Sequence, residues 1–114
     1  MAIERELMRG SGPLAVLQLL SRREMYGYEL VTALTEESDG ALTMGQSTLY
    51  PLLYNLESKG WISSRSAESA EGRTRRYYAI TAAGRTELAR QRKDWRSLAR
   101  AMTALGILDS SGSR

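Results

Sequence analysis

The 114-residue chain contains no cysteine and no histidine. Without cysteine there is no disulfide framework and no thiolate metal site. Without histidine the commonest general base and the commonest metal ligand are missing together. The carboxylates do not fill the gap: Glu36 with Glu37, and Glu68 with Glu71, stand in polar surroundings with no nucleophile beside them. These absences argue against a hydrolytic enzyme and a zinc protein, and no metal or cofactor is expected. No run is long and apolar enough to cross a bilayer, and the N-terminus lacks a basic-then-apolar leader. A cytoplasmic chain with no membrane partner is the expectation. The length suits one domain with one modest core.

Net charge is small but uneven in placement. The formal net charge is +3. Residues 1–44 hold four basic and seven acidic side chains, whereas residues 72–100 hold nine basic and two acidic ones. A sign split of this kind suits a polyanionic partner for the basic part, although a solvated basic helix face has the same composition.

The most informative stretch runs from Gly45 to Gly60. Leu49, Leu52, Leu53 and Leu56 fall at i, i+3, i+4 and i+7, the stripe that a helix buries. The opposite face carries Ser47, Tyr50, Tyr54, Asn55 and Ser58, where an ordinary solvated face would carry Lys and Glu. Such a face suits the backbone and base edges of a DNA groove. Gly60 reads as a C′ glycine ending the helix. Two strand-like runs follow, Ile62–Ser66 and Arg73–Ile80, with a polar turn at 67–72 between them. Helix, strand, charged hairpin tip, strand is the order of a winged helix-turn-helix.

Tyr26-Gly-Tyr-Glu-Leu30, Thr48-Leu-Tyr-Pro-Leu-Leu53, Leu56-Glu-Ser-Lys-Gly60 and Gly72-Arg-Thr-Arg-Arg-Tyr-Tyr78, with Ile80-Thr-Ala-Ala-Gly84, occur in order. With these pieces the chain resembles the PadR family of bacterial transcriptional regulators over about residues 5 to 105. Its short length and single long helix after the wing are similar to the small subfamily, whose members include multidrug-binding regulators.

Along the rest of the chain, residues 4–9 read as a short amphipathic piece broken by Gly10-Ser11-Gly12, with Pro13 opening an apolar helix from Leu14 to Arg22. Ser21–Met25 is expected to be a connector. Tyr26–Ser38 and Gln46–Lys59 are the two helices of the helix-turn-helix, separated by an Asp39-Gly40 turn and a brief extended stretch at Ala41–Thr43. Gly27 allows close approach of either the neighbouring helix or a DNA phosphate. Pro51 falls in the second turn of its helix, where it removes a hydrogen bond, and a bend or opened turn is expected there. Thr81 caps a helix from Ala82 to about Leu105, roughly 36 Å long. Leu88, Gln91, Trp95, Leu98, Met102 and Leu105 form a heptad seam on it, which calls for a partner helix.

The candidate DNA-binding residues are Tyr28, Gln46, Ser47, Thr48, Tyr50, Tyr54, Asn55, Lys59, Arg73, Arg75 and Arg76, with Arg65 a weaker one. Gln46 and Ser47 sit where free amides favour phosphate, and Asn55 or Gln46 suits adenine. Strand alternation puts Arg73 and Arg75 on one face and Arg76 on the other. Either Tyr28 bonds phosphate where its helix crosses the DNA backbone, or it is a core tyrosine; Tyr50 has the same alternative. The position of Tyr54 is often basic in the family, so one electrostatic anchor is missing. The seam residues Leu88, Trp95, Leu98, Met102 and Leu105 are the candidate dimer interface. The resemblance further implies that Trp95 stacks flat aromatic compounds in a pore between subunits, lined by Leu7, Met8, Leu14, Gln91, Ala99 and Met102; otherwise Trp95 fills the dimer core.

The fold class expected is mainly α with a small β-hairpin: a winged helix-turn-helix over residues 1–81, a C-terminal dimerisation helix over 82–108 and a disordered tail at 109–114. The function expected is a homodimeric, sequence-specific regulator of a double-stranded DNA operator, a repressor relieved by a small hydrophobic or aromatic effector. The alternative is a winged-helix protein-interaction module that binds no DNA.

Overall fold

The computed structural model describes residues 3–109; the tail expected at 109–114 lies outside these from residue 110 onward. Four helices and three short strands follow in the order α1 (Arg5–Leu20), β1 (Met25–Tyr26), α2 (Gly27–Glu37), α3 (Gln46–Ser58), β2 (Ile62–Glu68), β3 (Thr74–Ile80) and α4 (Ala82–Ala104). The strands form an antiparallel sheet in the order β1-β3-β2. This is the winged-helix fold class expected from the sequence.

Three local expectations change. The sequence predicted a break at Gly10–Gly12, yet α1 runs through it and through Pro13 without interruption. Gly12 is buried there, where an added Cβ would lie 3.2 Å from Leu52 Cδ1. Helix-helix packing at that point outweighs the weak propensity of the segment and the amide lost at Pro13. The second change is β1, taken from the expected connector: Met25 pairs with Tyr78 and Tyr26 with Tyr77. Ala41–Leu42 form a turn rather than an extended stretch.

The core fills the space between α1, α2, α3 and the inner sheet face. Leu17, Leu30, Leu49, Leu53, Leu56 and Ile62 are all but fully enclosed, with Val16, Leu20, Leu34, Met25 and Tyr78 around them. α3 ends in a Schellman arrangement at Gly60, which takes φ 79° and is fixed by Trp61 N–H donating to Leu56 O at 3.1 Å and Gly60 N–H to Glu57 O at 2.9 Å. The chain then turns directly into β2.

The root of α4 is fastened at the same place. Thr81 Oγ1 donates to Gly60 O at 2.6 Å and accepts from Gly84 N–H at 3.0 Å, while Thr81 N–H donates to Trp61 O. Gly84 rests on that carbonyl so closely that an added Cβ would lie 2.0 Å from it. Beyond Leu88 the helix leaves the body, and Trp95, Leu98 and Leu105 are exposed. Its far end is closed by Gly106, with Ile107 N–H donating to Met102 O at 2.8 Å.

Candidate nucleic-acid interface

The outward face of α3 follows from its inward one. With Leu49, Leu53 and Leu56 buried, the 3.6-residue turn leaves Gln46, Ser47, Tyr50, Tyr54, Asn55 and Ser58 exposed. Tyr54 is 76% exposed and Tyr50 44%, so neither is a core tyrosine. Gly45 starts the helix in an extended conformation without a side-chain cap, and the amides of Gln46 and Ser47 have no acceptor within the helix. The helix continues through Pro51, which leaves the Ser47 carbonyl without an i+4 amide.

α2 abuts this face. The Tyr50 hydroxyl lies over Gly27, so the glycine serves approach of the neighbouring helix. Glu29 Oε1 accepts from Tyr26 N–H at 3.1 Å and fixes the start of α2. Tyr28 is 61% exposed, its ring stacked on Tyr26 at 6.4 Å.

The wing has two unlike faces. Ile80, Tyr78 and Arg76 point to the α3 side by strand alternation, and on it Arg76 Nη1 donates to Ser64 Oγ at 2.8 Å. Ser64 Oγ in turn donates to Glu57 Oε2 on α3 at 2.7 Å. The outer face carries Tyr77 and Arg75. The Arg75 guanidinium lies 4.2 Å from the Tyr26 ring centroid and 3.7 Å from Glu71. Tyr26 meets Tyr77 edge-on at 5.6 Å. Arg73 precedes β3 in the hairpin tip, where its carbonyl accepts from Ser69 N–H at 2.7 Å and its N–H donates to Ser69 Oγ at 3.2 Å. Lys59 and Arg65 are engaged elsewhere: Lys59 Nζ sits 4.9 Å above the Trp61 ring, and Arg65 pairs with Glu24.

These contacts move the titrations. Glu24 is held below the usual carboxylate range by the hydrogen bond from Arg65. Glu71 is lowered by its own backbone amide, then by Ser69 and Arg75. Burial raises the Tyr78 phenol. On α4, Glu87 is lowered by its hydrogen bond from Arg90.

Gln46, Ser47, Tyr50, Tyr54 and Arg76 lie exposed on α3 and the inner wing, whereas Tyr28 stands at the start of α2 with its ring against Tyr26, the residue that also carries the Arg75 stack. Thr48 and Asn55 turn to the margin of the α3 face, where they line an open groove of about 890 Å³ between α1 and α3. Met8, Pro13, Met44, Pro51 and Leu52 form its apolar lining, with Arg5 and Arg9 beside them. Of the residues proposed to surround a ligand, Met8 alone lines this groove. Leu7, Trp95 and Ala99 are exposed, and Leu14, Gln91 and Met102 half-buried. Trp95, in the middle of the seam, is 38% exposed.

Sequence reasoning missed β1, the Arg76–Ser64–Glu57 chain, the Arg75–Tyr26 stack and the groove. A two-residue strand has no periodicity to find, and the other three depend on it or on helix packing. Among the described residues no cluster of acidic side chains could hold a metal, and no helix is long and apolar enough to cross a membrane.

Comparison with known proteins matches this architecture. The sequence model of the family described as "Transcriptional regulator PadR-like family" matches residues 16–90. The transcriptional regulator Rv3488 of Mycobacterium tuberculosis is 33% identical over 96 residues, 84% of this chain and 86% of that protein. A crystal structure of a PadR family transcriptional regulator from Eggerthella lenta superposes with a TM-score of 0.76 at 33% identity, covering 88% of this chain and 85% of that one. A Streptococcus transcriptional regulator gives a TM-score of 0.80 at 31% identity over 90% and 99% of the two chains.

Proposed function

The chain belongs to the PadR-like family of transcriptional regulators, a family of regulators and not of enzymes, and from that premise we propose that it is a dimeric, sequence-specific DNA-binding repressor. One observation carries the reading: α3 buries Leu49, Leu53 and Leu56 and leaves Ser47, Tyr50 and Tyr54 open beside a wing bearing Arg73 and Arg76. Neutral donors and aromatic rings suit base edges and sugars, and the wing arginines and the first-turn amides of α3 suit phosphate. Tyr28 extends the phosphate surface at the start of α2, with Asn55 and Thr48 at its margin.

The dimer is assigned to α4. Trp95, Leu98 and Leu105 lie on its seam, exposed to solvent in a single chain, and a second copy related by a two-fold axis covers them. The DNA-binding unit then comprises residues 1–81 and the dimer element residues 82–108. Two recognition helices address half-sites of a near-palindrome. A flat aromatic effector stacks on Trp95 at the dimer centre, in the manner of the multidrug-binding members. By linkage it relieves repression only if it binds the DNA-free arrangement more tightly than the DNA-bound one.

Titration of the purified chain with duplex DNA at two salt concentrations tests this. Affinity should fall steeply as salt rises, because bound phosphates release counterions. Absence of duplex binding at low salt would leave a protein-docking module as the reading.

A further inference from the structure

Of the two β3 arginines, Arg75 is much the less available. Its side chain is 22% exposed and the residue half-buried, whereas Arg76 is exposed. The reason is topological. β1 pairs with β3 only at Tyr77 and Tyr78, so the outer hairpin, 66–68 with 74–76, is a two-stranded ribbon without a third strand. Such a ribbon is marginally stable alone and twists freely. Two side chains tie it to the body. Arg76 does so on the inner face through Ser64 to Glu57, and Arg75 on the outer face through the Tyr26 ring.

The two ties differ in what DNA would do to them. Arg76 faces the α3 side, and a phosphate there competes with Ser64 for its guanidinium. Arg75 points the other way and stacks on the residue that opens α2. Reaching a phosphate would require it to leave both Tyr26 and Glu71. Its tie therefore survives docking while the inner one is exchanged.

We propose that Arg75 is a positioning residue of the wing, not a DNA ligand: it clamps the outer hairpin onto Tyr26 at the start of α2 and so presents Arg73 and Arg76. This rests on the DNA-binding reading above, and the stack itself has a readout that needs no DNA.

The experiment uses the full chain and a duplex selected from a random library by the wild-type protein. Affinity is measured over a salt series for Arg75→Gln, Arg76→Gln, Tyr26→Leu and Tyr26→Phe, each first shown to be folded by circular dichroism. Hydrogen exchange of the hairpin amides is followed in the free proteins. Arg76→Gln should flatten the log–log salt slope of the dimer by about 1.8, the loss of one phosphate contact in each of its two wings. Arg75→Gln and Tyr26→Leu should each weaken binding by about three- to tenfold, the size of one cation–π contact, with the slope kept and hairpin exchange accelerated. Combined, they should do no more than either alone, and Tyr26→Phe, which keeps the ring, should behave as wild type. A slope loss in Arg75→Gln equal to that of Arg76→Gln would overturn the proposal, as would hairpin exchange unchanged by Arg75→Gln. A wild-type chain that selects no duplex would overturn the regulator reading as well, whereas normal DNA binding with an unaltered hairpin in Arg75→Gln would sink the clamp alone.

Discussion

The Tyr50 hydroxyl occupies the place where any residue larger than glycine at position 27 would put its β-carbon: an added Cβ on Gly27 would lie 2.5 Å from that oxygen and 3.0 Å from Cζ. The obstacle is the far end of a flexible side chain on the exposed face of α3, so it can move at small cost in stability. Gly27→Ala should therefore change the melting temperature little, because alanine also favours the helix. DNA affinity should fall several-fold as Tyr50 is displaced. Thermal melts beside duplex titrations check this; a large loss of stability would show that Tyr50 is held there more firmly than its exposure implies.

The opposite case is Gly84, whose neighbour is backbone. An added Cβ would lie 2.0 Å from Trp61 O and 2.8 Å from Ile80 Cγ1. Gly84→Ala should cost about 1–3 kcal/mol or more, as overpacking does, and denaturant titration measures it. An unchanged midpoint would mean that α4 can lift off the wing base without loss.

Arg73→Ala combined with Arg76→Ala should weaken duplex binding and flatten its salt slope by about four contacts' worth, two from each protomer of the dimer, leaving molecular mass in solution unchanged. Sedimentation separates the two effects. Affinity that survives both changes would move the DNA contacts off the wing.

Leu98→Glu with Leu105→Glu should give a folded monomer, since both side chains are exposed on α4 and their burial requires a partner. Planar aromatic compounds should quench Trp95 emission, read in a Trp61→Phe background, and should do so only in the dimer. No quenching across a broad panel would leave Trp95 as packing between subunits.

Tyr78 supplies a pH test. Burial raises its phenol above the ordinary tyrosine value of 10.0, so the unfolded chain ionises this group first. Its contribution to stability is full below pH 10 and is lost as pH rises through the raised folded value. Tyr78→Phe should flatten the alkaline decline, seen as a smaller drop in denaturation midpoint between neutral and strongly basic pH.

Much of this was legible in the chain. The leucine stripe of 49–56 specified the inward face of α3, Gly60 its end and Thr81 the cap of α4, because each depends on chemistry within a few residues. Gly10–Gly12 and Pro13 misled for the same reason: local propensity argued for a break, and packing against Leu52 decided otherwise. The sorting of the wing arginines could be half read. Alternation separated Arg75 from Arg76, but only the pairing of Tyr26 with Tyr77, two segments about fifty residues apart, shows that one side already holds an aromatic ring. Long-range register has no signature in a single sequence when the partner strand is two residues long.

The fastening of Thr81 and Gly84 to the end of α3 leaves no hinge between the reading head and the long arm that follows it. In the dimer proposed above the arms would act like the legs of a compass: opening or closing the angle at their crossing would swing both heads through an arc that grows with arm length. A molecule wedged at the crossing need never touch DNA to change the span at which the two heads land.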